Sequence, residues 1–254
     1  MIGIIGAIPE EINKIIEEMQ ISDTRIIGKR KYYIGKLENK DCVVAFSRIG
    51  KVAAAITTST LIQEFKITKL IFTGVAGGIN PNIKVGDIVL ATALSQHDFN
   101  AFPLYPKNEI PLINKKNFKT DSILNQIAST EITSFLENKN IHLYISEKDL
   151  NEFGIQTPVL HQGLIVSGDQ FIYQKEKITK ILTDFPEALC AEMEGAAVAQ
   201  VCYEYNIPFT VIRTISDNAN ESATLDFNKF IERISNKYGL WIVKHILQNI
   251  KNAG

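Results

Sequence analysis

Short apolar runs that end in small or charged residues recur along this chain, and they leave few folds open. Ile2-Gly3-Ile4-Ile5-Gly6-Ala7 is followed by Pro9 and then by Ile12, Ile15, Ile16 and Met19 at helical spacing. Pro9 suits a first helical turn, where its missing N–H costs nothing. The order strand, tight turn, helix is therefore expected at the N-terminal end. Residues 31–37 and 42–47 read as a hairpin about the polar turn Glu38-Asn39-Lys40-Asp41, and a helix follows from Ile49-Gly50-Lys51-Val52 to about Phe65. Leu70-Ile71-Phe72-Thr73 reads as a buried strand that ends in a glycine-rich turn at 74–78, where a ligand can approach the backbone. Residues 85–91 read as a strand, 97–111 as a polar, aromatic and proline-rich loop, and 121–138 as an amphipathic helix capped by Thr120 or Asp121. Residues 163–167 and 208–215 read as strands, 168–172 as a loop and 227–248 as a closing helix, whereas 139–162 carry no clear pattern. Alternating strands and helices place the chain in the α/β class. Without a linker, repeat or low-complexity segment, a single domain over 1–254 is expected.

Within that frame the acidic residues are conspicuous. Glu192 and Glu194 flank Met193 in an otherwise apolar stretch, from Ala188-Leu189-Cys190 to Ala196-Ala197-Val198. Acids rarely keep such company unless paired or hydrogen-bonded. Extended alternation would put both glutamates on one side with Met193 opposite. The plainer reading is a helix start with acids near its positive end. Glu10-Glu11 opens the first helix in the same way. Arg213, Ser216 and Asp217 close an apolar strand at its carboxyl end, where ligands bind in α/β folds. Glu11, Glu192, Glu194 and Asp217 thus give four carboxylates, with Arg213, that the fold could bring together. Two carboxyl groups in different surroundings suit glycosidic cleavage, one protonating the leaving group and the other activating water. A metal cluster is another use for carboxylates.

Other chemistries find less support. The chain has no H-E-x-x-H, C-x-x-C, P-loop or G-x-S-x-G motif, and its N-terminal glycines lack G-x-G-x-x-G spacing. No metal or organic cofactor is expected. The net charge of −1 over 254 residues argues against nucleic acid or a membrane surface as partner. The chain shows no signal peptide and no apolar run of the ~18–20 residues a bilayer needs. Its three separated cysteines, Cys42, Cys190 and Cys202, fit buried thiols in a reducing compartment, so a cytoplasmic location is expected.

Seven blocks in order carry a resemblance. They are Gly3-Ile4-Ile5-Gly6-Ala7 with Glu11, Ile49-Gly50-Lys51-Val52-Ala53, Thr73-Gly74-Val75-Ala76-Gly77-Gly78, Val85-Gly86-Asp87-Ile88-Val89, Val166-Ser167-Gly168-Asp169-Gln170-Phe171-Ile172, Glu192-Met193-Glu194 and Arg213-Thr214-Ile215-Ser216-Asp217. Together they resemble the 5′-methylthioadenosine/S-adenosylhomocysteine nucleosidase family of the nucleoside phosphorylase superfamily. The resemblance implies a central mixed, twisted β-sheet flanked by helices, with an insertion at about 120–162. It implies hydrolysis of adenine thionucleosides to adenine and the thioribose, and activity on 5′-deoxyadenosine as well. By resemblance Asp217 is the general acid at the purine, held by Ser216, and Glu11 activates water. Glu194 and Met193 contact the ribose, with Arg213 and Glu192 as polar support. Phe171 stacks on the purine and the Ile172 backbone meets its edge. Ile49 and Phe227 wall the 5′ group, joined by Phe102 from the second subunit of a homodimer.

Two positions depart from the family pattern. Val75 stands where many members have serine, and Arg48 stands where glycine is common. A cation beside the water site would favour phosphate, so a purine nucleoside phosphorylase is the alternative, together with a hydrolase of another purine riboside. Against phosphorolysis, Phe72 and the Pro9-Glu10-Glu11 turn occupy places where phosphorylases carry arginines. A non-catalytic nucleoside-binding module would be expected to lack Glu11 or Asp217, and both are present.

Overall fold

All five residues of the first strand, Ile2–Gly6, are buried, as a strand covered on both faces requires. A computed structural model of the chain describes residues 1–137, 141–218 and 227–250. The elements are β1 (Ile2–Gly6), α1 (Pro9–Glu18), β2 (Gln20–Ile27), β3 (Arg30–Leu37), β4 (Lys40–Phe46), α2 (Lys51–Phe65) and β5 (Lys69–Gly78). They continue with β6 (Ile88–Gln96), β7 (Asn117–Lys119), α3 (Ser122–Glu137), α4 (Ile141–Tyr144), α5 (Glu147–Glu152), β8 (Leu160–Ser167) and α6 (Lys175–Asp184). The last are β9 (Ala188–Glu192), α7 (Gly195–Glu204), β10 (Phe209–Asp217), α8 (Phe227–Phe230), a π-helical turn at Ile231–Ser235, and α9 (Asn236–Asn249).

One mixed sheet takes up all these strands, and β5 is its hub. β5 runs parallel to β1 and to β10 and pairs antiparallel with β9 through Gly77 and Gly78. β9 pairs with β8, β8 with β6, and β6 with β10, so that the strands on this side close a ring. On the other side β1, β4, β3 and β2 extend the sheet. Helices cover both faces. Ile12 and Ile15 of α1, Ile132 and Phe135 of α3, and Tyr238 and Trp241 of α9 share one core. Ala54 and Leu61 of α2 pack with Ala196 and Val198 of α7 in another.

The structure corrects several sequence expectations. Residues 74–78 continue β5 as strand instead of turning, because β10 holds them in register from Gly74 with Arg213 to Gly77 with Asp217. Residues 85–87 lie before the strand, in a turn where Asp87 Oδ2 accepts the Lys84 N–H at 2.9 Å, and β6 runs on to Gln96. β2 escaped notice because nearly all of its residues are exposed, which leaves no apolar alternation to read. Residues 139–162 include α4, α5 and the start of β8 in their described part, and the closing helix carries a π-helical turn. Residues 138–140, 219–226 and 251–254 lie outside the described residues.

Candidate active site

The turn between β1 and α1 delivers Glu11. From the first turn of α1 its Oε2 reaches back to accept N–H groups from Ala7 at 2.5 Å and Ile8 at 3.2 Å. Its Oε1 accepts the Val75 N–H at 3.0 Å. The strand leaves room for this: a Cβ on Gly74 would lie 2.5 Å from Oε1. Glu11 is therefore only 5% exposed yet fully hydrogen-bonded. Burial pushes its pKa up, and the Arg213 charge and the three N–H groups offset this only in part. Glu10 does not line the cavity.

The β9–α7 junction supplies the next pair. Glu192 ends β9, and both its oxygens accept the Gly195 N–H at 2.9 Å. Oε2 also accepts from Arg213 Nη2 at 2.7 Å, and the Ser167 hydroxyl donates to Oε1. The plain helix-start reading and the pairing reading are thus both met by this one residue. Arg213, 2% exposed, lies 3.9 Å over the Phe72 ring and sits behind Glu192. Extended alternation stops at Glu192: Glu194, with φ −134° and ψ −39°, is already the N-cap of α7. As a result Met193 does not face away, and it lines the cavity beside both glutamates. Glu194 Oε1 accepts the Gly50 N–H at 2.8 Å.

Asp217 ends β10, and Ser216 Oγ donates to its Oδ2 at 2.6 Å. One cavity gathers Glu11, Ile49, Val75, Phe171, Ile172, Glu192, Met193, Glu194, Ser216, Asp217 and Phe227. Phe171 and Phe227 meet edge to face, with centroids 6.4 Å apart. Arg213 and Phe102 are not among the lining residues, and Phe102 stands 72% exposed. Arg48 turns away, donating from Nη2 to the Lys29 carbonyl at 2.6 Å. Gly50, Ser167 and Gln170 also serve the site but received no role from the sequence. Ser167 ends an apolar strand as Asp217 does, and that signal could have found it.

Glu194 leads to a prediction. Burial first, and then the charge of Glu192, raise its pKa from the usual 4.5 to about 8. Between those values the folded protein holds a proton that the unfolded chain releases. This contribution to stability is full below pH 4.5 and is lost as pH rises through about 8. The melting temperature of the wild type should fall over this window relative to Glu194→Gln, at roughly 2–4 °C per kcal/mol. Parallel calorimetric profiles for the two proteins would refute it.

The chain matches known proteins along nearly its whole length. Residues 1–248 match the family described as the phosphorylase superfamily. An aminodeoxyfutalosine nucleosidase of Helicobacter pylori is 37% identical over 235 residues, which cover 91% of this chain and 92% of that protein. A 5′-methylthioadenosine/S-adenosylhomocysteine nucleosidase of Staphylococcus epidermidis is 36% identical over 234 residues, covering 92% and 93%. The crystal structure of the nucleosidase of that name from Neisseria meningitidis, in complex with methylthio-immucillin-A, is similar with a TM-score of 0.86 at 33% identity. It covers 98% of this chain and 99% of its own.

Proposed function

The chain belongs to the 5′-methylthioadenosine/S-adenosylhomocysteine nucleosidase family of the phosphorylase superfamily, and on that premise we propose that it hydrolyses the N-glycosidic bond of these two adenine nucleosides and of 5′-deoxyadenosine. The products are adenine and the free 5-substituted ribose. One observation carries hydrolysis over phosphorolysis. The described cavity is lined by Glu11, Glu192, Glu194 and Asp217 and by no lysine, arginine or histidine. A phosphate dianion needs cationic donors to hold it, and this lining offers none, whereas water meets hydrogen-bond acceptors. Arg48, the cation that would have favoured phosphate, is turned toward Lys29.

In this reading Asp217 protonates the departing purine while Ser216 holds its carboxyl. Glu11, raised in basicity by burial, takes a proton from the attacking water. Glu194 accepts from the ribose hydroxyls beside Met193, and these bonds strengthen as the sugar becomes cationic. Arg213 neutralises Glu192 beneath that contact. Val75 contributes its N–H to Glu11 and no hydroxyl to the water. Phe171 stacks on the base, at ~1–3 kcal/mol for such contacts, and Ile172 offers its backbone to the base edge. Ile49 and Phe227 border the 5′ group.

Phe102 does not line the cavity of its own chain, so its role at the 5′ group requires a second copy, and the protein is read as a homodimer. Val52 and Ile56 on α2, with Phe102 and Leu104 on the loop between β6 and β7, are all exposed apolar side chains. A Lys51–Asp98 contact of 2.6 Å joins those two segments into one surface. Sedimentation should show a dimer at micromolar concentration, and a monomer there would remove Phe102 from the site. No helix among the described residues is long and apolar enough to cross a membrane. The three free, buried cysteines fit a cytoplasmic protein.

The deciding assay is adenine release from methylthioadenosine and S-adenosylhomocysteine, with and without phosphate, and with inosine and uridine as controls. Adenine and free sugar without phosphate are expected. A strict need for phosphate, with a sugar 1-phosphate formed, would make the protein a phosphorylase. Aminodeoxyfutalosine belongs in the same assay, since a Helicobacter relative named for it is 37% identical.

A further inference from the structure

The loop from Gly168 to Tyr173 carries Phe171 and Ile172 into the cavity, yet it belongs to no strand or helix. Phe171 is 41% exposed, so core packing does not fix it. Asp169, which does not line the cavity, anchors the loop on two other segments. Its N–H donates to Asp98 Oδ2 at 2.8 Å, and its own Oδ1 accepts the Lys51 N–H at 2.8 Å. Lys51 Nζ then closes the circuit on Asp98 Oδ1 at 2.6 Å and reaches Gln96 Oε1 at 3.0 Å. The Lys51 and Asp98 side chains are only 16% and 17% exposed. Screening is weak there and charge-assisted bonds are strong. Burial by itself would raise the Asp98 pKa, but Lys51 and the Asp169 N–H outweigh it and hold Asp98 below its ordinary value. The start of α2 thereby serves both halves of the cavity. Gly50 gives its N–H to Glu194, and Lys51 gives its N–H to the aromatic loop. A Cβ on Gly50 would stand 3.1 Å from Asp169 Oδ1, and Gly50 has φ +97°, so that approach needs glycine.

We propose that Lys51, Asp98 and Asp169 form a latch that positions the 168–172 loop, so that these residues set affinity for the purine without touching it. The inference rests on the reading that Phe171 and Ile172 hold the base. A positioning role of this kind acts on binding of the base more than on bond cleavage. It predicts a split between KM and kcat that a general loss of structure would not give.

The test is calorimetric binding of free adenine alongside steady-state kinetics on methylthioadenosine. Asp98→Asn and Lys51→Met should each raise the Kd for adenine and the KM about tenfold, with kcat within about threefold of wild type. The double variant should lose less than the two singles combined, because both break the Lys51–Asp98 contact. Lys51→Arg should restore much of the loss. Asp169→Ala keeps the buried ion pair and changes only an exposed side chain, so it reads the latch even where the pair variants fold poorly. It should raise both constants in the same direction. Unchanged adenine affinity in Asp169→Ala, or a fall in kcat with KM unchanged, would overturn the proposal. Phe171→Ala separates the two levels. If it weakens adenine and the latch variants do not, the latch alone is wrong. If it leaves adenine binding intact, the base-site reading is wrong.

Discussion

Replacing Asp217 by asparagine is expected to lower kcat on methylthioadenosine by about 10²–10⁴-fold while KM and the melting temperature stay close to wild type. The two side chains have the same shape. Ser216 Oγ, which donates to Asp217 Oδ2 at 2.6 Å, finds an acceptor in the amide oxygen of asparagine if the amide is oriented to suit. Only the acidic proton is lost. The purine must leave as an anion unless a proton reaches it, so the loss falls on the chemical step. Single-turnover adenine release separates that step from product release. Near-normal turnover by a folded Asp217→Asn protein would show that another group delivers the proton.

Glu11→Gln is expected to reduce hydrolysis by a similar ~10²–10⁴-fold and, unlike the first variant, to lower stability as well. The reason lies in the hydrogen bonds. Both oxygens of Glu11 are acceptors, one toward Val75 and the other toward Ala7 and Ile8. An amide serves one side and turns its own N–H₂ toward a donor on the other. A buried mismatch of that sort costs about 1–3 kcal/mol. Binding of a substrate analogue should survive. Gly74→Ala offers an independent check, since its Cβ would lie 2.5 Å from Glu11 Oε1 and would push the carboxylate aside without changing its chemistry. If Glu11→Gln lost analogue binding together with turnover, Glu11 would be structural, and water would have to be activated elsewhere.

Much of the site was legible because its side chains follow a positional rule. Glu11, Glu192 and Asp217 each stand at or just beyond the carboxyl end of an apolar strand, and charge in such a place is visible in one dimension. What sequence could not show was depth. Arg213 and Glu192 have the same local pattern as their neighbours, but one lies behind the other, because a guanidinium stacked on Phe72 fills the space beneath. The backbone donors of Gly50, Ala7 and Val75 carry no side-chain signal at all. In the fold, residues 74–78 read as a turn because small residues mark turns. Here Gly74 is small for another reason: the Glu11 carboxylate lies directly against it. β2 was missed because an exposed edge strand lacks the apolar alternation that betrays strands.

The position of β5 has a bearing on how the chain reaches its active form. Its residues pair with 2–5 near one terminus and with 209–217 near the other, and with 190–191 between. Contacts so distant in sequence form late, because long loops must close before they are rewarded. Helices such as α3 and α9 can appear early in refolding without any of them. Glu11 and Asp217 are brought to one cavity only when both outer partners have joined β5. Recovery of adenine release during refolding should therefore lag the return of helical signal, and it would serve as a clock for completed assembly.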